Sequence, residues 1–237
     1  MQILIIPDVH LKPQLFARAS AILQEGKADK AVCLMDLPDD WNHEFDLELY
    51  EQTFDAAIQF AKDYPETLWC WGNHDLSYVW GMRETGYSWF AQSTVSRKLI
   101  QLVDALPDPK QIAYIHRIDD VLFLHGGLTD SFVRDHTDAA DHDDIDKVLA
   151  TINALDCEDM WNDNSPIWFR PQYESAAALY KPGRFLQVTG HTPMEQIDRS
   201  GNLLSCDVFS TYRDGSPIGP CAFPVVDTET WIFEQIK

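Results

Sequence analysis

The chain has 237 residues, of which 45% are hydrophobic, so it is long enough to bury a substantial core. Its formal net charge of −20 argues against a general nucleic-acid binder or a protein that binds anionic membranes, because both need a basic surface. The five cysteines show no Cys-x-x-Cys spacing, which favours free thiols in a reducing, cytoplasmic compartment. Neither a linker, a repeat nor a membrane-spanning run is visible, so we expect one domain over residues 1–237.

The first apolar run, residues 2–6, is typical of a central parallel strand and leads into Pro7-Asp8-Val9-His10. Asp8 and His10 alternate by two, so in an extended segment both side chains point to one side, where they form half of a metal site. The alternative is a helix cap, because an amphipathic helix is predicted to begin near Pro13. Both interpretations can hold together.

The second predicted strand, residues 31–35, ends at Asp36, and a helix is predicted from about residue 46 to 63. A third apolar run, residues 67–71, again predicts a buried strand. Three strands alternating with helices indicate a βαβ arrangement in which the carboxyl ends of the strands lie along one edge. Ligands bind at that edge in parallel sheets.

The third strand leads into Gly72-Asn73-His74-Asp75, where glycine allows a sharp turn. Asn73 offers a neutral oxygen ligand, His74 a ring that titrates near neutral pH, and Asp75 a carboxylate that can hold this ring in one tautomer. A polar turn without chemistry is the alternative for this stretch taken alone. The convergence of ligand-type residues at all three strand ends favours a site.

The rest of the chain repeats this pattern. Strands are predicted at residues 112–116 and 121–124, the latter followed by His125-Gly126-Gly127, and at residues 185–189, followed by Gly190-His191-Thr192. Arg170 lies among aromatic residues, as either a buried structural group or an oxyanion clamp.

Three further segments carry predictions. Residues 78–89 are interpreted as a loop that lines the site or covers the core. The acidic residues 135–146 lack the spacing of a calcium loop and are better explained as a solvated turn that caps the next helix. The runs at residues 203–208, 222–226 and 230–236 are predicted to close a second sheet.

Five strand-end motifs in this order resemble the calcineurin-like metallophosphoesterase superfamily over most of the chain. His125-Gly126-Gly127 and Gly190-His191-Thr192 are most similar to its phosphoprotein phosphatase branch, which includes bacterial Ser/Thr phosphatases and diadenosine tetraphosphatases. The resemblance implies an α/β (α+β) fold, a four-layer αββα sandwich of two mixed β-sheets flanked by helices.

The resemblance also implies roles for individual residues. Two divalent metal ions are expected, most readily Mn²⁺, with Fe or Zn²⁺ as alternatives that suit mixed nitrogen and oxygen ligands. His74 is implied to be the general acid, with Asp75 orienting it. From the residues themselves, Arg170 is our candidate to bind phosphate, with Arg83 as a weaker one. The implied metal ligands are Asp8 and His10 for the first ion, Asp36 for both, and Asn73, His125 and His191 for the second.

Three departures from the family pattern affect these expectations. Met35 replaces the usual glycine before the bridging aspartate, which predicts backbone strain or a displaced Asp36. The Asp-Arg-Gly that usually follows is absent from Leu37-Pro38-Asp39-Asp40, so one phosphate clamp is missing, which weakens the case for a protein phosphatase. Pro193 stands where a second histidine is usual, which predicts a more loosely held first metal.

The expected function is therefore hydrolysis of phosphate esters by metal-activated water, on a phosphorylated small molecule, nucleotide or phosphopeptide. One alternative is a nuclease or nucleotide phosphodiesterase that uses the same site, although the charge argues against long polymers. The other is a metal-free binding scaffold on this fold, which we expect to have lost the general acid or a bridging ligand.

Overall fold

The computed structural model of the protein describes residues 1–173 and 178–237. In chain order its strands are β1 (Gln2–Ile6), β2 (Lys30–Cys33), β3 (Leu68–Cys70), β4 (Ile112–Ala113), β5 (Ile115–Ile118), β6 (Val121–Leu124), β7 (Leu186–Thr189), β8 (Asp198–Ser200), β9 (Leu203–Ser205), β10 (Phe223–Asp227) and β11 (Phe233–Ile236). Its helices are α1 (Gln14–Gln24), α2 (Leu47–Asp63), α3 (Asn73–Trp80), α4 (Gln92–Ala105), α5 (Asp130–His136), α6 (Ile145–Ile152) and α7 (Cys157–Met160). Short 3-10 turns lie at Pro109–Gln111 and Pro171–Tyr173.

The strands form two mixed sheets. The first has the order β11-β10-β1-β2-β3-β4 and the second the order β5-β6-β7-β9-β8. Strands β1, β2, β3 and β4 are parallel, as are β6, β7 and β9. Because parallel strands end at the same edge, each sheet brings the loops after its strands together, as the sequence predicted.

The two C-terminal strands lie in the first sheet, so their assignment to the second sheet was wrong. Strand β10 pairs with β1 in antiparallel register, with Leu4 opposite Val225, and β11 pairs with β10. This pairing provides hydrogen-bond partners for the backbone groups along one edge of β1. Without it, a buried strand would have unpaired backbone groups. A run of apolar residues identifies a strand but does not say which edge it joins.

The core explains the layered architecture. Strand β6 is buried on both faces: Val121 and Phe123 join a large cluster between the sheets, whereas Leu122 and Leu124 join a cluster with α5 and α6. Successive strand residues point to opposite faces, so an unbroken apolar strand must be covered on both. Helices α1, α2 and α4 cover the first sheet in the same way. The structure confirms the four-layer sandwich.

Two details test smaller expectations. Asp144 caps α6 by accepting hydrogen bonds from the backbone N–H groups of Asp146 and Lys147, as expected for the acidic turn. Helix α3 begins at Asn73 and extends to Trp80, so the first residues of the predicted loop 78–89 are helical. Among the helices of the described residues, none combines the length and apolar character needed to cross a membrane.

Candidate active site

The loops after five strands meet in one cleft. Two groups of side chains each place their ligand atoms within 4.8 Å of one another: His10, Asp36 and His74, and Asp36, His125 and His191. Asp36 belongs to both groups and is buried between them. The structure therefore brings together residues that are up to 183 positions apart in the sequence, as in the pair Asp8 and His191.

Asp36 is held in place by both sheets. Its Oδ1 accepts a hydrogen bond from the backbone N–H of His74 at 3.0 Å, and its Oδ2 lies 3.1 Å from Nε2 of His125. Burial disfavours the charged carboxylate, but the imidazoles of His125 and His74 hold its pKa well below the usual range. The space for this side chain depends on Gly72, where a Cβ would lie 1.9 Å from Oδ1 of Asp36.

The residue before Asp36 keeps the strained conformation that the sequence predicted. Met35 has a φ of 57° and Asp36 a φ of 44°, in the left-handed region that favours glycine. Asp36 is nevertheless not displaced from the cleft. The buried side chain of Met35 belongs to the large core cluster, so packing holds a conformation that the local backbone disfavours.

Asn73 and His125 present their ligand atoms to each other. Nδ1 of His125 donates to the carbonyl oxygen of Leu34 at 2.9 Å, which leaves Nε2 facing Oδ1 of Asn73 at 3.0 Å. The amide of Asn73 is oriented by Glu84, whose carboxylate accepts from Nδ2 at 2.6 Å. Burial lowers the pKa of His125, but the carboxylates of Asp36 and Asp8 outweigh it and raise the pKa to about 9.

The donor set of these residues fits a divalent cation. Nε2 of His125 faces two oxygen acceptors, Oδ1 of Asn73 and Oδ2 of Asp36. The lone pairs of these three atoms repel one another unless a proton or a cation lies between them. Oδ1 of Asp8 and Nε2 of His191 are among the buried atoms that have no hydrogen-bond partner in the described residues, as is Oε1 of Glu84. Buried polar atoms normally find a partner. Mixed nitrogen and oxygen donors of this kind suit transition metals better than Ca²⁺.

Asp8 and His10 approach the cleft from β1. Oδ2 of Asp8 accepts from the backbone N–H of His191 at 2.8 Å, and a Cβ on Gly190 would lie 1.9 Å from Oδ1. Burial and the nearby Asp207 raise the pKa of Asp8 well above its usual value. Nδ1 of His10 donates to the carbonyl oxygen of Asp39 at 2.8 Å, so its Nε2 is turned toward Asp36.

His74 is oriented by residues other than the one expected. Its Nδ1 lies 3.1 Å from Oδ2 of Asp39 and 3.7 Å from Oε1 of Glu84. Burial lowers the pKa of His74, but the carboxylates of Asp36, Glu84 and Asp39 together hold it well above the usual range. These carboxylates therefore favour the protonated form of the ring.

Asp75 does not contact the ring of His74, so its assignment as the orienting residue was wrong. Its carboxylate accepts from the backbone N–H groups of Asp36 at 2.8 Å, Leu37 at 3.1 Å and Gly72 at 3.2 Å. Asp75 is the third residue of α3, where a carboxylate reaches back to the N–H before the helix. It ties the loop after β2 to the start of α3.

The two arginines that the sequence singled out lie in different places. Arg170 lines the cleft, and its Nη1 donates to the carbonyl oxygen of His191 at 2.6 Å. Arg83 instead stacks over the ring of Trp89 at 3.7 Å and is not among the residues that line the cleft. Substrate binding by Arg83 therefore stays a prediction, and this geometry favours Arg170 over it.

The cleft has a volume of about 510 Å³. Aromatic side chains of Trp41, Tyr87 and Trp168 form part of its wall. Asp40, which ends the four-residue stretch that lacks the family's arginine, also lines the cleft, and its carboxylate is paired with Lys12 at 2.8 Å. Among the described lining residues, Arg170 is the single arginine or lysine.

A cation that binds this cleft should stabilise the fold. We expect Mn²⁺ at about 100 times its dissociation constant to add about 2.7 kcal/mol to the free energy of unfolding. For a chain of this length this raises the unfolding midpoint by about 5 to 10 °C. Calorimetry of chelator-treated protein, with and without Mn²⁺ and with a potassium salt of equal ionic strength as control, measures the shift. A midpoint that Mn²⁺, Zn²⁺ and Fe²⁺ all leave unchanged would contradict a metal site.

Comparison with known proteins gives the following similarities. A family model described as calcineurin-like phosphoesterase matches residues 1–215. The cold-active protein-tyrosine phosphatase of a psychrophilic Shewanella sp. is similar in structure, with a TM-score of 0.57 and 16% identity over 100% of this chain and 80% of that chain. A metallophosphoesterase from Sphaerobacter thermophilus has a TM-score of 0.47 and 15% identity, over 100% of this chain and 88% of that chain. None of the curated proteins matches the chain. At such identities, the structural likeness to the Shewanella enzyme supports the fold alone.

Proposed function

Because the chain belongs to the calcineurin-like phosphoesterase family and is thus a metal-dependent hydrolase of phosphate esters, we propose that it works with two divalent ions and with His74 as general acid. The position of Asp36 in both ligand groups supports this proposal most directly, since a shared carboxylate is what a pair of cations requires. Asp8, His10 and Asp36 would hold the first ion. Asp36, Asn73, His125 and His191 would hold the second.

Mn²⁺ is the metal that we propose, with Fe or Zn²⁺ as the alternatives. A pair of such ions would supply positive charge toward the phosphoryl oxygens and would lower the pKa of the attacking water. The contribution of the chain itself is to orient the ligands. The Leu34 carbonyl fixes the tautomer of His125 and Glu84 fixes the amide of Asn73.

His74 is suited to protonate the leaving oxygen. Its Nδ1 is engaged by Asp39, so Nε2 is the atom left to deliver a proton. The surrounding carboxylates raise its pKa, which favours the protonated form that a general acid needs. Arg170 also lines the cleft, beside His191, and is suited to bind a phosphoryl oxygen.

A small phosphate ester is the substrate class that we propose: a phosphorylated small molecule, a nucleotide or a short phosphopeptide. Carboxylates that line the cleft, among them Asp40, Glu44 and Glu84, would repel a long phosphate polymer, and Arg170 alone would not offset them. This favours an esterase over a nuclease.

Hydrolysis assays with matched substrates test the proposal. Chelator-treated protein is loaded with Mn²⁺ and incubated with p-nitrophenyl phosphate, bis-p-nitrophenyl phosphate, a phosphoserine peptide, a bis-nucleotide and a cyclic nucleotide. We expect metal-dependent release of phosphate or nucleotide from at least one member of this panel. The chelator-treated protein is also given Mn²⁺, Zn²⁺ and Fe²⁺ in turn. If it binds none of these ions and hydrolyses no ester, the metal-free scaffold is the better explanation.

A further inference from the structure

Asp39 lies at the centre of a buried hydrogen-bond network that extends beyond the cleft. Its carboxylate is almost completely buried. Oδ1 accepts two hydrogen bonds from tyrosine hydroxyls, Tyr50 at 2.7 Å and Tyr78 at 2.6 Å, while Oδ2 faces Nδ1 of His74 at 3.1 Å. The two oxygens of one carboxylate thus have separate partners.

The two tyrosines come from different helices. Tyr50 lies on α2 and Tyr78 on α3, and both side chains are buried. The hydroxyl of Tyr78 also accepts from the backbone N–H of Ser88 at 2.8 Å, so its own orientation is fixed. Burial and the adjacent Asp39 raise the pKa of both hydroxyls, which therefore stay protonated and act as donors.

Such a pair of donors has a geometric consequence. The terminal torsion of an aspartate is broad, so a carboxylate without fixed partners can rotate. Two donors that converge on Oδ1 from two helices hold the plane of the group and direct Oδ2 at His74. The contact between Asp39 and His74 then has a defined orientation before an ester binds.

We infer that Tyr50 and Tyr78 are positioning residues that hold Asp39, and through it the proton-donating ring of His74, in the orientation needed to protonate a leaving group. This inference rests on the proposed role of His74. Neither tyrosine is among the residues that line the cleft. Their effect should appear only when the leaving oxygen needs a proton.

The inference is tested with the isosteric double variant Tyr50→Phe/Tyr78→Phe, loaded with Mn²⁺. On an alkyl phosphate, whose leaving oxygen needs protonation, we expect kcat to fall about 10- to 100-fold, because misplaced general acids lose much of their contribution. On 2,4-dinitrophenyl phosphate, whose leaving group departs as an anion, we expect kcat to stay within about twofold. KM and metal content should remain unchanged. Each single variant should lie between the wild type and the double variant.

Tyr114→Phe is the matched control. Tyr114 is also buried, and its hydroxyl donates a single hydrogen bond, to the carbonyl oxygen of Leu155, outside the cleft. This variant should slow neither ester. If the double variant fails to fold, Tyr50→Phe and Tyr78→Phe provide the same comparison. Equal slowing of both esters, or none of either, would overturn the inference.

A crystal structure of the double variant separates this inference from the proposed function. We expect the Asp39 carboxylate to rotate, so that its contact with Nδ1 of His74 is lost. A retained contact would refute the positioning role whatever the activity. If the contact is lost but the wild type hydrolyses no ester, the positioning role stands and the assignment of His74 as general acid fails.

Discussion

Replacing His74 with asparagine should slow the hydrolysis of alkyl phosphates by roughly 10²- to 10⁴-fold, the range in which a general acid contributes. The variant loses the ring whose Nδ1 is held by Asp39 and whose Nε2 is left to protonate the leaving oxygen. The backbone N–H of residue 74 still donates to Asp36, so the ligand geometry should survive. Hydrolysis of 2,4-dinitrophenyl phosphate should fall far less, because its leaving group needs no proton.

Steady-state kinetics on both esters, combined with elemental analysis, measure this effect. His136→Asn serves as control, since His136 packs on Phe132 in α5, outside the cleft. Because the ring of His74 also lies in one ligand group with His10 and Asp36, the metal content must be shown to equal that of the wild type. Unchanged turnover on alkyl phosphates would remove His74 from the mechanism.

The architecture around His74 was largely predictable from the sequence. The apolar runs that precede Asp8, Asp36 and Asn73 each form a parallel strand of the first sheet. Topology then dictates that their ends are adjacent, since right-handed crossovers leave successive strand ends on one edge. The same argument holds in the second sheet for His125 and His191, which follow the parallel strands β6 and β7.

The partners of these residues were much harder to predict. Asp75 was assigned to His74 because it is adjacent in sequence, but at the third position of a helix a carboxylate bonds backbone N–H groups instead. Asp39, the actual partner, lies 35 residues away in the loop after β2. The sequence did contain a hint of this role, because Asp39 stands only three residues after Asp36 in the same loop. Only the folded loop, however, shows which carboxylate reaches the ring of His74.

Glu84 was missed for a similar reason. It lies in the loop between α3 and α4, and sequence gives such loops no fixed direction. In the structure its carboxylate contacts Asn73 through one oxygen and approaches His74 through the other. Burial raises its pKa to about 7, above that of an ordinary glutamate. Arg83, the neighbouring residue that the sequence did single out, stacks on Trp89 instead.

Replacing Asp36 with asparagine should abolish metal-dependent activity, with a loss of at least about 100-fold, because even the loss of an outer partner of a metal ligand typically costs 10- to 100-fold. The change keeps the shape of the side chain and the acceptor for the N–H of His74. It removes the one negative charge that both ligand groups share. Without Asp36, each group is left with imidazoles and no carboxylate, so metal content should fall together with turnover.

Asp40→Asn gives the matched control for Asp36→Asn. Both changes remove one negative charge from a side chain that lines the cleft, but Asp40 belongs to neither ligand group and is instead paired with Lys12. Elemental analysis after Mn²⁺ loading should therefore show metal in Asp40→Asn and little in Asp36→Asn, while circular dichroism confirms that both are folded. An Asp36→Asn protein that keeps two ions per chain and hydrolyses esters at the wild-type rate would show that the cations do not share this carboxylate, and the proposed dinuclear centre would fail with it.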